Sequence, residues 1–220
     1  MTIRLMAFDL VGTLIDGEIF GEARRQVRVE IDFNRGWAEA ETATGFNCHF
    51  NYEVVFRYAL SNTSVKPLYR QFQEFLITNM LAYIFEDVSP TMRELSAHNI
   101  KLGFVTDGAE EVEGQMIRAL LDHVGIAEDT CIVITTDRIG AGKTSGLPFK
   151  ELISRAAELG IDSSEIKFVG DKWEKDVAPA INEGLTALLI DRDPDGSRDP
   201  GTIASLTDLF SLLANRHNAN

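Results

Sequence analysis

Five side chains in this sequence have the types and positions to move a phosphoryl group: Asp9, Thr106, Lys143, Asp171 and Asp176. Each stands just past a short apolar run. Asp9 follows Ile3–Phe8, Thr106 follows Gly103-Phe104-Val105, Lys143 lies in the turn after Ile132-Val133-Ile134, and Asp171 and Asp176 follow Phe168-Val169-Gly170. An Asp carboxylate, ionised at neutral pH, is a candidate nucleophile. Crowded carboxylates repel one another, and a divalent cation relieves that repulsion. Mg²⁺ is the natural choice, since it prefers oxygen ligands and retains several waters. A small hydroxyl and a lysine offer hydrogen bonds and positive charge to the oxygens of a transferred group. Together these are the parts for metal-assisted phosphoryl transfer.

The elements around these residues explain how they could meet. Strand candidates are Ile3–Phe8, Lys101–Val105, Cys131–Ile134, Ile166–Val169 and Ala187–Ile190. Between the later ones, Ala109–His123, Pro148–Leu159 and Trp173–Asn182 carry apolar residues at helical spacing. This alternation predicts an α/β fold with a parallel sheet covered on both faces. In such a sheet the residues after neighbouring strands converge on one crevice at the carboxyl edge. Residues 16–87 break the rhythm: they read as helices without a convincing strand and hold most of the chain's aromatic residues. That excess predicts an inserted helical subdomain with a small core of its own, leaving residues 1–15 and 88–220 as the α/β core. The turn-rich stretch 193–201 reads as an exposed loop before a last helix at Ser205–Leu213.

Composition narrows the function classes. The 220 residues are 45% hydrophobic and 25% charged, as expected of a folded globular protein. A net charge of −13 disfavours nucleic acid and anionic lipid as partners, so a small anionic substrate must be met by a local cation. No basic-then-apolar leader and no membrane-length apolar run is visible, and cytoplasmic residence is expected. Cys48 and Cys131 fit no metal spacing and read as free buried thiols.

The motifs carry a family resemblance. Asp9-Leu10-Val11-Gly12-Thr13, Phe104-Val105-Thr106-Asp107-Gly108, Gly142-Lys143 and Val169-Gly170-Asp171 through Asp176 occur in the order of the four motifs of haloacid dehalogenase-like hydrolases. The chain resembles the subgroup with a helical cap inserted after the first motif. The resemblance implies a three-layer sandwich with a Rossmann-like parallel sheet and an all-helical cap whose motion opens and closes the crevice. It implies Asp9 as nucleophile, passing through an aspartyl-phosphate, with Thr106, Asp107, Gly108 and Lys143 binding the phosphoryl group. Mg²⁺ would bind Asp9, the carbonyl of Val11, Asp171 and Asp176. The implied activity is a Mg²⁺-dependent phosphatase for a small phosphorylated metabolite, as a monomer or homodimer.

One position departs from the pattern. Val11 stands where the family most often has a second Asp, which protonates the leaving oxygen and later activates water. Such acid–base help is worth about 10²–10⁴-fold, and its loss weighs most on alkyl phosphates. Val11 therefore keeps three alternatives open: a 2-haloacid dehalogenase, a phosphonate-cleaving enzyme, and a phosphatase-like binding protein without turnover. The Gly170-Asp171 start of the acidic motif argues against dehalogenation, and phosphonate cleavage would need Lys66, the one lysine of the insertion, to form an imine. Gly140-Ala141-Gly142-Lys143-Thr144 is not a nucleotide phosphate loop, because Asp137 occupies the position of its first glycine. Trp173 reads as a packing residue, and Asp16 and Glu18 as hydrated turn residues or substitute acids. Arg24, Arg25, Arg28, Arg35, Arg57 and Arg70 are the candidate anion readers of the insertion, and Phe46, Phe50, Tyr52 and Phe56 its expected core.

Overall fold

Apolar side chains along the first strand alternate between two layers. Leu5 and Ala7 join one buried cluster and Met6 and Phe8 another, so both faces of the sheet are covered. The computed structural model describes residues 2–27, 38–39, 65–193 and 201–214. Its sheet comprises β1 (Leu5–Phe8), β2 (Lys101–Thr106), β3 (Ile132–Thr135), β4 (Ile166–Gly170) and β5 (Thr186–Leu189). All neighbouring pairs are parallel, and the order is β3-β2-β1-β4-β5. The five predicted strands are present with ends displaced by one or two residues, a normal scatter.

The described helices are α1 (Glu18–Gln26), α2 (Val65–Asn79), α3 (Val88–Ala97), α4 (Gln115–Val124), α5 (Thr136–Ile139), α6 (Leu147–Glu158), α7 (Ala178–Asn182) and α8 (Asp208–Ala214). Helices α3, α4 and α8 supply Met92, Leu95, Ile117, Leu120 and Leu209 to the Met6/Phe8 face. Helices α6 and α7 supply Phe149, Leu152, Ala156 and Ala180 to the Leu5/Ala7 face. The result is a three-layer α/β sandwich. Ile19 and Ala23 of α1 and Phe72 and Leu76 of α2 join the same cluster as Met6 and Phe8. The expected aromatic core at Phe46, Phe50, Tyr52 and Phe56 lies outside the described residues, as does Cys48.

Two helices begin differently from the sequence expectation. The segments predicted as Ala109–His123 and Trp173–Asn182 each open with a π-helical turn, Glu110–Gly114 and Trp173–Val177, before α4 and α7 start. Each turn is closed by a wide backbone bond, Gly114 N to Ala109 O and Val177 N to Lys172 O. The fourth residue of each turn then folds its carboxylate back onto the amide before the turn. Glu113 Oε2 accepts from Ala109 N at 2.8 Å, and Asp176 Oδ2 from Lys172 N at 2.9 Å. Such turns inside helices recur at functional sites. The last helix starts at Asp208 rather than Ser205, because the Asp208 carboxylate accepts the amides of Ala204 and Ser205.

Two smaller expectations are corrected. Trp173 does not pack on the core: it is 56% exposed on the turn after β4. Cys131 is free but only partly buried, bonding through its thiol to Ala127 O. No described helix is long and apolar enough to cross a membrane.

On the α6 face, Phe149 and Phe168 meet edge to face with ring centroids 5.0 Å apart, both fully buried. Phe149→Ala is expected to cost about 3–5 kcal/mol, read as a lower urea midpoint at unchanged slope.

Candidate active site

The sheet order does the positioning. β1 is central, so the residue after it has β2 on one side and β4 on the other. Asp9 continues the ladder, its amide donating to Val169 O at 2.9 Å. Thr106 closes β2, Asp171 is the first residue past β4, and the π turn that follows brings in Asp176. Lys143 arrives from the far edge on a short 3₁₀ turn, Lys143–Ser145. Its amide donates to Asp107 Oδ1 at 3.0 Å, which ties that turn to the end of β2.

The Lys143 ammonium, 3% exposed, bridges two carboxylates. It donates to Asp9 Oδ1 at 2.5 Å and also to Asp176 Oδ1. Thr13 Oγ1 donates to the other Asp9 oxygen, Oδ2, at 3.2 Å. Burial pushes the Asp9 carboxyl up to about 7; the Lys143 charge pulls against this shift, and Asp176 and Asp171 add to it. Burial also works against the charge on Lys143, but Asp9, Asp176 and Asp107 together outweigh it and hold the ammonium above its ordinary range. Asp171 is raised by burial, with Lys172 opposing through a 2.6 Å bond from its Nζ.

One oxygen from each of Asp9, Asp171 and Asp176 lies within 4.8 Å of the other two. Three hard oxygen donors in a shielded cluster suit a divalent cation of the Mg²⁺ or Ca²⁺ kind. The backbone makes room for them. Gly12 has φ +92°, and a Cβ there would stand 2.3 Å from Asp171 Oδ2, so only glycine lets this carboxylate approach.

A cavity of about 380 Å³ opens over this cluster. Asp9, Val11, Thr106, Asp107, Lys143, Asp171 and Asp176 all line it, whereas Gly108 does not and is buried against the Glu113 carboxylate. Phe20 and Arg24 of α1 and Phe72 of α2 line the same cavity. Of the arginines proposed as anion readers, Arg24 is therefore at the site. Arg25 is instead paired with Glu22 at 2.6 Å, Arg70 is exposed away from the cavity, and Arg28, Arg35 and Arg57 lie outside the described residues. Asp16 is a turn residue, its Oδ1 accepting from Glu18 N at 2.9 Å, and neither lines the cavity. Lys66 is exposed and does not line it either.

Glu113 also lines the cavity and is 1% exposed, yet nothing in the sequence reading singled it out. Its signal was present. It stands four positions after Ala109, as Asp176 stands four positions after Lys172, and both pairs follow a strand that ends in a small residue with a carboxylate just beyond.

Residues 3–184 match the sequence profile of haloacid dehalogenase-like hydrolases. The chain belongs to this family. Among curated relatives, the glyceraldehyde 3-phosphate phosphatase of Methanocaldococcus jannaschii is 31% identical over 131 residues, 57% of this chain and 54% of the relative. The chain thus spans about half the length of the first curated relatives it matches. Among solved structures, a HAD phosphatase from Thermococcus onnurineus aligns over 96% of this chain and 98% of its own, with TM-score 0.66 and 24% identity. A 2-haloacid dehalogenase from Pseudomonas syringae aligns over 98% of this chain and 100% of its own, with TM-score 0.70 and 22% identity. The haloacid dehalogenase-like fold is common to both chemistries, so only the site can choose between them.

Lys143 offers a direct test of the electrostatics. Without its ammonium, two buried carboxylates face each other unpaired. Lys143→Met is expected to lose about 3–5 kcal/mol of stability, measured by urea unfolding at pH 8 in the presence of a chelator.

Proposed function

We propose that this protein is a Mg²⁺-dependent phosphatase acting on a small phosphorylated metabolite through a phosphorylated Asp9. The observation that carries this reading is the convergence of Asp9, Lys143 and two further carboxylates on one cavity. A dehalogenase needs the nucleophile but no cation site, and the Asp9, Asp171 and Asp176 cluster is then unexplained. Cleavage of a carbon–phosphorus bond through Lys66 is disfavoured by that residue's position away from the cavity.

The chain's own residues supply the following steps. Asp9 attacks phosphorus, forming an Asp9–phosphorus bond as the bond to the leaving oxygen breaks. Thr106 and Lys143 hold the phosphoryl oxygens and stabilise the charge that builds on them. Water then displaces the Asp9 carboxylate from phosphorus and releases inorganic phosphate. A divalent cation held by Asp9, Asp171, Asp176 and the Val11 carbonyl would screen the carboxylates from one another and draw charge from the phosphoryl group. Val11 gives the leaving oxygen no proton, so that proton must come from solvent. Good leaving groups such as aryl or acyl phosphates suffer least from this lack.

The expected outcome is Mg²⁺-dependent hydrolysis of p-nitrophenyl phosphate that disappears in Asp9→Asn. Val11→Asp should raise turnover of alkyl phosphates by about 10²–10⁴-fold with a much smaller change for the aryl ester. Absence of turnover in the native chain with every divalent metal tried would overturn the reading, and rescue by Val11→Asp alone would mark a binding protein descended from a phosphatase.

Phe20, Phe72 and Arg24 give the cavity a partly apolar, partly cationic lining beyond the carboxylate cluster. This suits a short phosphorylated metabolite with a second anionic or strongly polar end, in keeping with the sugar-phosphate named for the archaeal relative. Arg24→Gln is expected to raise KM about 10-fold or more for a phosphomonoester that also bears a carboxylate, the size of a lost charge-assisted hydrogen bond. Steady-state kinetics should find KM for p-nitrophenyl phosphate nearly unchanged.

A further inference from the structure

Arg192 lies three residues past β5, at the opposite end of the chain from Asp9, with its side chain only 15% exposed. Its Nε and Nη2 donate to the carbonyl oxygen of Thr13 at 3.2 and 2.5 Å. Its Nη1 donates to Asp87 Oδ2 at 2.7 Å, and the guanidinium carbon sits 4.2 Å from the centre of the Phe85 ring. Asp87 Oδ2 accepts two further bonds of 2.7 Å, from Ser205 Oγ and Leu206 N.

The contacts of Arg192 itself fall on two segments that run antiparallel to each other. The chain leaves the sheet through Thr13–Asp16 and comes back through Tyr83–Asp87. The two segments pair: Asp16 N donates to Tyr83 O at 2.8 Å, Phe85 N to Leu14 O at 3.1 Å, and Ile15 bridges Ile84. One guanidinium thus holds the outgoing carbonyl, the returning carboxylate and the returning aromatic ring. Thr13 in turn donates its hydroxyl to Asp9 Oδ2. The path from Arg192 to the nucleophile is therefore one residue long.

We propose that Arg192 is a positioning residue: by fixing the Thr13 backbone against the returning segment, it sets the orientation of the Asp9 carboxylate. This rests on the phosphoryl-transfer reading given above. The planar fork of arginine is what the position demands. Two near-parallel N–H groups serve one carbonyl while a third serves a carboxylate on another segment, and a single lysine ammonium cannot span all three. Misplacing a reacting atom by an ångström can cost about 10²-fold in rate, so a small loosening at Thr13 reaches the chemistry.

The test uses Arg192→Lys, which keeps the charge beside Asp87 and loses the fork. Its kcat for p-nitrophenyl phosphate should fall about 10- to 100-fold, with KM changed less than about threefold. Hydrogen exchange should quicken at the amides of Asp16 and Phe85 and stay unchanged in β2. Leu206→Ala is the control, since Leu206 is fully buried at the same junction and its hydrogen bond there, from its amide to Asp87, is made by the backbone and survives the substitution. If Leu206→Ala lowers kcat as much as Arg192→Lys at an equal fall in Tm, the role is structural and the proposal is overturned. Native kcat in Arg192→Lys overturns it as well. Failure of the phosphatase reading is distinguishable, because the native chain would then show no turnover; faster exchange in Arg192→Lys still supports the hold on Thr13, and unchanged exchange overturns it.

Discussion

A single buried ammonium holds the candidate site together. Asp9, Asp171 and Asp176 are brought near one another by the sheet, and their charges oppose that approach. Lys143 offsets the repulsion between Asp9 and Asp176 and is itself held charged by the carboxylates around it. Burial cuts both ways in this arrangement. It makes the attraction strong, and it makes any unpaired member of the cluster costly. The turn carrying Lys143 is accordingly fastened from both sides, through its amide to Asp107 and through its side chain to Asp9 and Asp176.

The sheet order follows from the same requirement. A proposed nucleophile with a hydroxyl on one side and candidate cation ligands on the other must come from a strand with neighbours on both sides. β1 is that strand, with β2 and β4 flanking it. The chain changes direction across β1, going outward to β3 and then returning to β4, and this is the place where open α/β sheets form their crevice. Side-chain size is limited there to the last atom. Gly12 admits Asp171, and Gly170 admits Asp176, whose Cβ would lie 2.4 Å from a Cβ added at that glycine.

The core-side half of the site was legible in the sequence for a physical reason. A parallel strand is a short apolar run with a sharp end, and the residue after the end is displayed at one edge of the molecule. Asp9, Thr106, Asp171 and Asp176 are all tied to such ends, and the structure lines one cavity with them. The other half was not legible. Phe20, Arg24 and Phe72 face the cavity from helices whose placement depends on tertiary packing, and local spacing does not reveal which helical side turns inward. Six arginines looked alike in sequence. Trp173 was misread because an aromatic between two carboxylates has the composition of a packed turn, while the π turn in fact lifts it into solvent. The π turns themselves leave no apolar periodicity to read; what gives them away is a carboxylate four residues past the amide it binds.

Val11 places the chemistry of this chain at the edge of its family's usual range. The backbone at position 11 can still present a carbonyl to a cation, because that function needs no side chain. On the proposed reading, the service missing at position 11 is the proton for the leaving group, and Asp171 or Asp176 could supply it only by leaving the candidate cation cluster. Glu113 lines the cavity, but its Oε2 is committed to the Ala109 amide and its carboxylate fills the space beside Gly108. Asp16, the next acid along the chain after Val11, is held in its own turn. On the proposed phosphatase reading, with Glu113 and Asp16 held in this way, the favoured substrate is one whose leaving group departs as a stabilised anion and needs no acid.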